Sequence, residues 1–384
     1  MAIVINGSGT VTGLSVGGLP DGTVDNDTVA SGLASSKLTG ALPAISAASL
    51  TNVPKDTTVG GRKNLIINGG MDVWQRGTSF SHSNGKGYCP DRFWLNPQSN
   101  ASTYSRQAVT SPIVGMRSQY CLRMQRNSGG SSTGLTYFST DLESSNAYAC
   151  RGRKLTLSFY ARKGADYSAT SDYFTLGIVT GKGTDQSLIS GYTSGAFVAN
   201  QSNTLTSSWQ RFTVTTGSVI ADDITQIGLQ GTRTSVGTAG ANDYLEITGI
   251  QLEISDVATD FEHRSYGEEL ALCQRYFERF DYDKSGGGVS GIAGQCHSSS
   301  IMYCALVYQP KRVDPTVSTS TVSGSNFRVL HSGTATNITS FAFNASRNCT
   351  RIGATTGSGL TVGRAGILDT GSSQVQYFDI DAEL

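Results

Sequence analysis

Charge is scarce in this chain. Lysine, arginine, aspartate and glutamate make up 15% of its 384 residues, and the two signs cancel at 29 against 29; an ordinary globular chain carries roughly 25%. A neutral chain without runs of like charge has no general attraction for nucleic acid or an anionic membrane. Long apolar runs are missing too: nothing approaches the ~18 residues of a spanning helix, and the first residues lack the basic and apolar regions of a secretory signal. The seven cysteines, at 89, 121, 150, 273, 296, 304 and 349, show no Cys-x-x-Cys spacing. That argues against a zinc site or a disulfide framework and for free thiols of a chain made in a reducing cytoplasm. Catalytic signatures are equally sparse. There is no Gly-x-Ser-x-Gly elbow, no His-Glu-x-x-His, no P-loop and no Gly-x-Gly-x-x-Gly between strand and helix, and His82, His263, His297 and His331 stand isolated. Paired carboxylates for glycoside hydrolysis would have to come from Asp141, Glu143, Asp222, Asp223, Glu253 or Glu262, and nothing in the sequence selects a pair. The expectation is a protein that is not an enzyme.

What fills the space is glycine, 46 residues of it, with many serines, threonines and β-branched residues. This mixture disfavours helix and favours short strands joined by tight turns, so the fold class is all-β. Residues 1–62 carry single aliphatics spaced along a chain nearly free of aromatics, with Gly17-Gly-Leu-Pro20 echoed by Gly40-Ala-Leu-Pro43. Such a segment buries its aliphatics only by sharing an axis with other chains, which predicts an extended, intertwined fibre segment, with a short helix around 26–38; a disordered linker is the alternative. Residues 63–264 contain eight or nine alternating runs between Gly/Ser/Asn turns, among them 64–68, 92–95, 120–124, 135–138, 155–160, 173–179, 210–215, 224–229 and 244–252, and predict a jelly-roll β-sandwich. Residues 265–281 predict a connecting helix, with acids at its start and Leu270, Cys273 and Phe277 on one stripe. Residues 282–384 predict a second β domain, with runs at 300–308, 326–330, 340–343, 360–362 and 375–384, expected to complete its core against copies of itself.

Several motifs then stand out. They are Thr12-Gly-Leu-Ser-Val-Gly-Gly-Leu-Pro-Asp-Gly-Thr-Val24; the Leu38-Thr-Gly-Ala-Leu-Pro-Ala-Ile45 pattern running to Val53; Asn64-Leu-Ile-Ile-Asn-Gly-Gly-Met-Asp-Val-Trp-Gln-Arg-Gly77 with Tyr88-Cys-Pro-Asp-Arg-Phe-Trp94; Gln251-Leu-Glu253 with Phe261-Glu262 and Cys273-Gln-Arg-Tyr-Phe277; and Asp381-Ala-Glu-Leu384. In these the chain resembles bacteriophage tail fibres and receptor-binding proteins with a carbohydrate-module-like jelly roll. The resemblance implies a homotrimeric virion protein, synthesised in the bacterial host cytoplasm. Its N-terminal segment would face baseplate or tail proteins, and its jelly roll would meet a host surface polysaccharide or lipopolysaccharide. A baseplate or collar fibre without receptor role is one alternative, and a polysaccharide depolymerase another. No membrane insertion and no nucleic acid partner are expected. Similar jelly rolls hold a structural Ca²⁺ near their paired terminal strands, where Asp72 and Glu253 stand here; a buried hydrogen bond between those strands is the competing explanation.

A saccharide site needs aromatic faces for the C–H face of a sugar ring and amides or carboxylates for its hydroxyls. Trp74 and Trp94 have apolar neighbours and Trp209 precedes a strand, so all three read as core. Tyr167 and Tyr192, in Gly/Ser-rich loops, are the leading candidates, followed by Tyr104 and Tyr173.

Overall fold

The computed structural model describes residues 4–5, 11–12, 62–82, 87–282, 291–371 and 375–384, and the chain divides into one unit over Met1–Val53 and another over Pro54–Leu384. In the first unit, β1 (Val4–Ile5) and β2 (Val11–Thr12) pair antiparallel. The rest of the fibre segment expected over 1–62, including the helix at 26–38, lies outside the described residues apart from Arg62.

Strands hold 49% of the described residues and helices 6%, so the all-β class holds. In the second unit, β3 (Ser79–His82), β4 (Gly87–Tyr88), β5 (Trp94–Asn96), β6 (Ser102–Ala108), β7 (Tyr120–Arg126), β8 (Leu135–Asp141), β9 (Thr156–Lys163), β10 (Tyr173–Lys182), β11 (Thr193–Thr204), β12 (Gln210–Thr215), β13 (Gln226–Thr234) and β14 (Tyr244–Glu253) form two six-stranded antiparallel sheets. Their orders are β11-β10-β13-β8-β5-β4 and β12-β9-β14-β7-β6-β3. Alternate residues of both sheets, such as Phe138, Phe174, Leu176 and Leu229 from the first and Leu122, Leu157, Phe159 and Ile247 from the second, share one buried cluster. This is the period-2 patterning of a sandwich. Trp74 and Trp94 are buried, as expected.

The segment 64–68, expected as the first strand, is irregular. It still lies along β14: Leu65 N–H donates to the Leu252 carbonyl at 2.8 Å and Ile250 N–H to that of Gly69 at 2.9 Å. Two asparagines do the work that a ladder would have done. Asn64 donates to the Ile250 carbonyl and accepts from the N–H groups of Ile66 and Leu252. Asn68, left-handed at φ 60°, donates to the carbonyls of Val73 and Asp91 and accepts from Val73 N–H. Asparagine tolerates that conformation because its short amide bonds the nearby backbone.

A short helix α1 (Ser144–Tyr148) follows β8, and α2 spans Tyr266–Gln274, shorter than the expected 265–281. Ser265 caps α2 by accepting from Glu268 N–H, with Glu268 and Glu269 in its first turn. Phe277, expected on its stripe, opens β15 (Phe277–Tyr282) instead. Then β16 (Ile292–Cys296), β17 (Ile301–Val307), β18 (Thr316–Thr319), β19 (Phe327–His331), β20 (Thr334–Ala345), β21 (Cys349–Thr356), β22 (Ala365–Thr370) and β23 (Gln376–Asp381) complete the chain. Six close a barrel in the order β16-β17-β21-β20-β19-β22, while β15, β23 and β18 make a three-stranded sheet. Residues 360–362 are loop rather than strand. Phe378 and Ile380 of β23 join Met302, Phe327, Val329 and Ile352 in the barrel's own buried cluster, so the barrel fills its interior from one chain.

Charged residues of three distant motifs meet where the last strand returns to the sandwich. Glu383 pairs with Arg92 and, at 3.4 Å, with Arg76. Arg76 also reaches Asp381 at 3.3 Å and Asp91 at 3.9 Å. The two guanidiniums lie over the rings of Phe277 (3.4 Å) and Tyr276 (3.5 Å). Burial works against the charge on Arg76, yet Glu383, Asp381 and Asp91 more than offset it and raise its pKa. Gln75 donates to both carboxylate oxygens of Asp91 and to the Phe277 carbonyl. Nearby, Glu143 accepts from Arg275 at 2.7 and 2.8 Å and from the Tyr276 hydroxyl at 2.6 Å. The motifs at 64–94, 273–277 and 381–384 meet at this joint.

Candidate functional site

Residues that alternate with the core positions of the second sheet point away from it. On β9 these are Ser158, Tyr160 and Arg162; on β14, Glu246 and Thr248; on β7, Arg123; on β12, Arg211. Register places Arg162, Glu246 and Arg123 side by side across three strands. One Glu246 oxygen accepts from Arg123 Nε and Nη2 at 2.9 and 2.6 Å, the other from Arg162 Nε at 2.6 Å. The carboxylate is 1% exposed beneath guanidinium side chains that are 16% and 25% exposed, so the arginines form the surface. Each also meets a half-buried ring: Arg123 lies 4.0 Å from the centroid of Tyr244 and Arg162 4.9 Å from that of Trp209. The result is a row, Tyr244–Arg123–Glu246–Arg162–Trp209, across the sheet.

Below that row the face continues through Tyr160, which packs with Ile113, Met116, Trp209 and Phe261. Beside them an open cavity of about 550 Å³ is lined by Ile113, Gly115, Met116, Arg117, Asp260, Phe261 and His263. The imidazole of His263 stands edge-on to Phe261, with centroids 5.1 Å apart. A bulge in β14 makes this possible. The register slips between Thr248 and Gln251, and Gly249 takes φ 63°, so that a Cβ there would sit 2.3 Å from Met116 Sδ and 2.8 Å from Tyr160 Cδ2. Only glycine allows both the turn and the approach. At the far end of β14 the segment 255–264 closes over the face: Thr259 donates through N–H and hydroxyl to Glu253, and Gln251 donates to the carbonyls of Thr259 and Asp260. The Glu246 end stays open.

Arg211 donates to Ser158 Oγ and the Thr259 carbonyl. Its Nε and the Trp209 indole N–H meet no acceptor among the described residues.

The residues singled out from sequence fall elsewhere. Tyr104 is fully buried in the sandwich core. Tyr167 is 7% exposed, its hydroxyl donating to the Tyr173 carbonyl at 3.1 Å under the guanidinium of Arg233. Tyr192 is 8% exposed and donates to Asp141 at 2.5 Å, where burial raises the pKa of both groups. None of the three offers an open ring face: Tyr104 is a core-facing position of β6, and Tyr167 and Tyr192 turn inward from their loops. Tyr173, at 41%, is exposed at the start of β10 and stands apart from the row on the other sheet.

Asp72 and Glu253 do not fit a shared calcium. The antiparallel run that pairs Leu65 with Leu252 and Gly69 with Ile250 carries them to opposite ends. Glu253 has both oxygens engaged by Thr259, with Gln251 donating to one of them. Burial lifts the Asp72 carboxyl to about 6, helped by neighbouring Glu269 and opposed by Arg106. No group of three or more His, Cys, Asp or Glu side chains converges among the described residues.

No family model matches the chain, and no curated protein does. Solved structures resemble it in part. A carbohydrate-binding module, CBM4, aligns over 49% of this chain and 98% of its own, at 16% identity and a TM-score of 0.30. An apo cyclase from Fischerella sp. aligns over 52% and 98%, at 11% identity and 0.33. The enzymatically active domain of tailspike protein 4 from bacteriophage CBA120 aligns over 50% of this chain and 21% of that one, at 11% identity and 0.31. Likeness at this level leaves the chemistry to be read from this chain's own residues.

The row was missed from sequence for a definite reason. Trp209 and Tyr244 flank strands, where an aromatic reads as core, and the pairing of Arg162, Glu246 and Arg123 spans 123 positions. The available signal was polar: charged residues in a charge-poor chain, at outward positions of the three best-patterned strands.

Proposed function

We propose that the chain is the adhesive subunit of a bacteriophage tail fibre, a homotrimer in the virion that holds a bacterial surface saccharide on the outer face of the β12-β9-β14-β7-β6-β3 sheet. The observation that carries the binding reading is the row Tyr244–Arg123–Glu246–Arg162–Trp209. Rings at both ends suit the apolar face of a pyranose, and rigidly held donors between them suit its oxygens. The virion part rests on the motif resemblance and on the N-terminal aliphatics that need partner copies. Binding is favoured over hydrolysis because Glu246, the carboxylate of the row, has both oxygens taken by guanidiniums, leaving neither to pass a proton to a glycosidic oxygen.

The test is a glycan array probed with the full chain and with Trp209→Ala and Tyr244→Ala. Signals in the parent that fall at least tenfold in both variants support the site. A parent that binds nothing favours the purely structural fibre, and shortening of a host polysaccharide on incubation favours the depolymerase. Light scattering should give three times the chain mass; a monodisperse monomer ends the trimer reading.

A further inference from the structure

We infer that the saccharide held on this face is acidic, presenting a carboxylate to the guanidiniums of Arg162 and Arg123. The inference rests on the site proposed above and specifies its ligand. In a chain whose charges balance, the open part of the face does not balance: Arg123, Arg162 and Arg117 stand against Glu246 and Asp260. Two guanidiniums share the single carboxylate of Glu246, which leaves a positive charge on the row.

The geometry of that sharing matters more than the sum. Glu246 engages Arg162 only through Nε and engages Arg123 through Nε and Nη2. The two terminal nitrogens of Arg162 and Nη1 of Arg123 meet no acceptor among the described residues. A guanidinium fixed at its inner edge and flanked by a ring has lost its rotamer freedom before a ligand arrives, so its outer N–H groups form a preorganised fork. A planar carboxylate matches such a fork with two parallel charge-assisted bonds, which a neutral hydroxyl cannot do. Glu246 is then a positioning residue, and Tyr244 and Trp209 set the distance over which the sugar rings lie.

The experiment titrates the full chain with oligosaccharides of galacturonate, glucuronate and mannuronate, each compared with its carboxyl-reduced form, in which the acid becomes a primary alcohol on the same ring. At least one acidic form should bind ten times or more tighter than its reduced partner. Arg162→Gln should bring the two forms within twofold of each other, and Arg162→Lys, which keeps the charge and a bond to Glu246 but loses the fork, should restore part of the gap. Equal binding of acidic and reduced forms, with both lost in Trp209→Ala, overturns the acidic assignment and leaves the site standing. Binding untouched by Trp209→Ala removes the site and the inference together. Equal affinity for dextran sulfate, or no binding to any acid at millimolar concentration, also overturns the inference.

Discussion

Two arginine clusters in this protein use the same chemistry to opposite ends. At the joint between sandwich and barrel, Arg76 and Arg92 have side chains only 11% and 2% exposed, and carboxylates, carbonyls and rings meet them on several sides. On the sheet face, Arg123 and Arg162 are bound to a buried carboxylate on one edge only and are 25% and 16% exposed. In the first cluster the two guanidiniums are enclosed by the fold. In the second, the carboxylate holds two cations at the surface and does not finish them. An arginine's partners decide whether it is mortar or a contact, and its burial shows which partners are missing.

The largest expected effect lies at the joint. Glu383→Ala leaves Arg92 and Arg76 short of their shared counter-ion in a buried site, which should cost about 3–5 kcal/mol in denaturant unfolding. Glu246→Ala should cost less than half as much, since its arginines can turn to water; equal losses would erase the distinction between the clusters. Next is Asn68→Ala, which strands the carbonyls of Val73 and Asp91 and the N–H of Val73 and puts a Cβ-bearing residue without local hydrogen bonds at φ 60°. A loss of about 2–4 kcal/mol in unfolding free energy, with saccharide binding unchanged, is expected. Trp209→Ala should weigh the other way: a tenfold weaker saccharide affinity, about 1.4 kcal/mol, with a smaller loss of unfolding free energy than Glu383→Ala because the ring is only half-buried.

The smallest effect concerns pH. Burial, first, and then Glu269 raise Asp72 to about 6, and burial raises Asp91 to about 6 against the pull of Arg76 and Gln75. A carboxyl whose folded pKa exceeds its unfolded value opposes folding once both states can ionise. The cost is absent below about pH 4, builds between the two values and is complete above about 6. Asp72→Asn should therefore raise the melting temperature at pH 7.5 and leave it unchanged at pH 3.5. An equal rise at both would point to packing instead.

The sheet interiors were legible in the sequence because alternation there is enforced by burial on one side. The run at 210–215 matches β12 in full, and those at 120–124, 135–138, 155–160, 173–179 and 244–252 fall within or largely overlap β7, β8, β9, β10 and β14. What escaped was structure held by something other than alternation. Thr193–Thr204 is an edge strand exposed along most of its length, so polar and apolar residues fall on both of its faces and no alternation survives. Residues 64–68 look like a strand but are held by asparagine side chains. Tyr192 looked like a loop residue open to solvent because its partner, Asp141, lies 51 positions away. The candidate site was illegible on the same ground: its members are neighbours only through register. The Gly249 bulge, which shapes the cavity beside them, leaves no local mark beyond one glycine inside an apolar run.

The joint also carries a consequence for how the protein comes into being. Arg92 waits for a partner 291 positions downstream, and Arg76 for the same glutamate 307 positions away. While the chain emerges from the ribosome, the sandwich can assemble its strands and offer Asp91 to Arg76 and the Asp141 carbonyl to Arg92, but the carboxylate the two cations share arrives only with Glu383. Closure over such separations is slow. The sandwich therefore carries an open seam until the segment holding Glu383 arrives to close it.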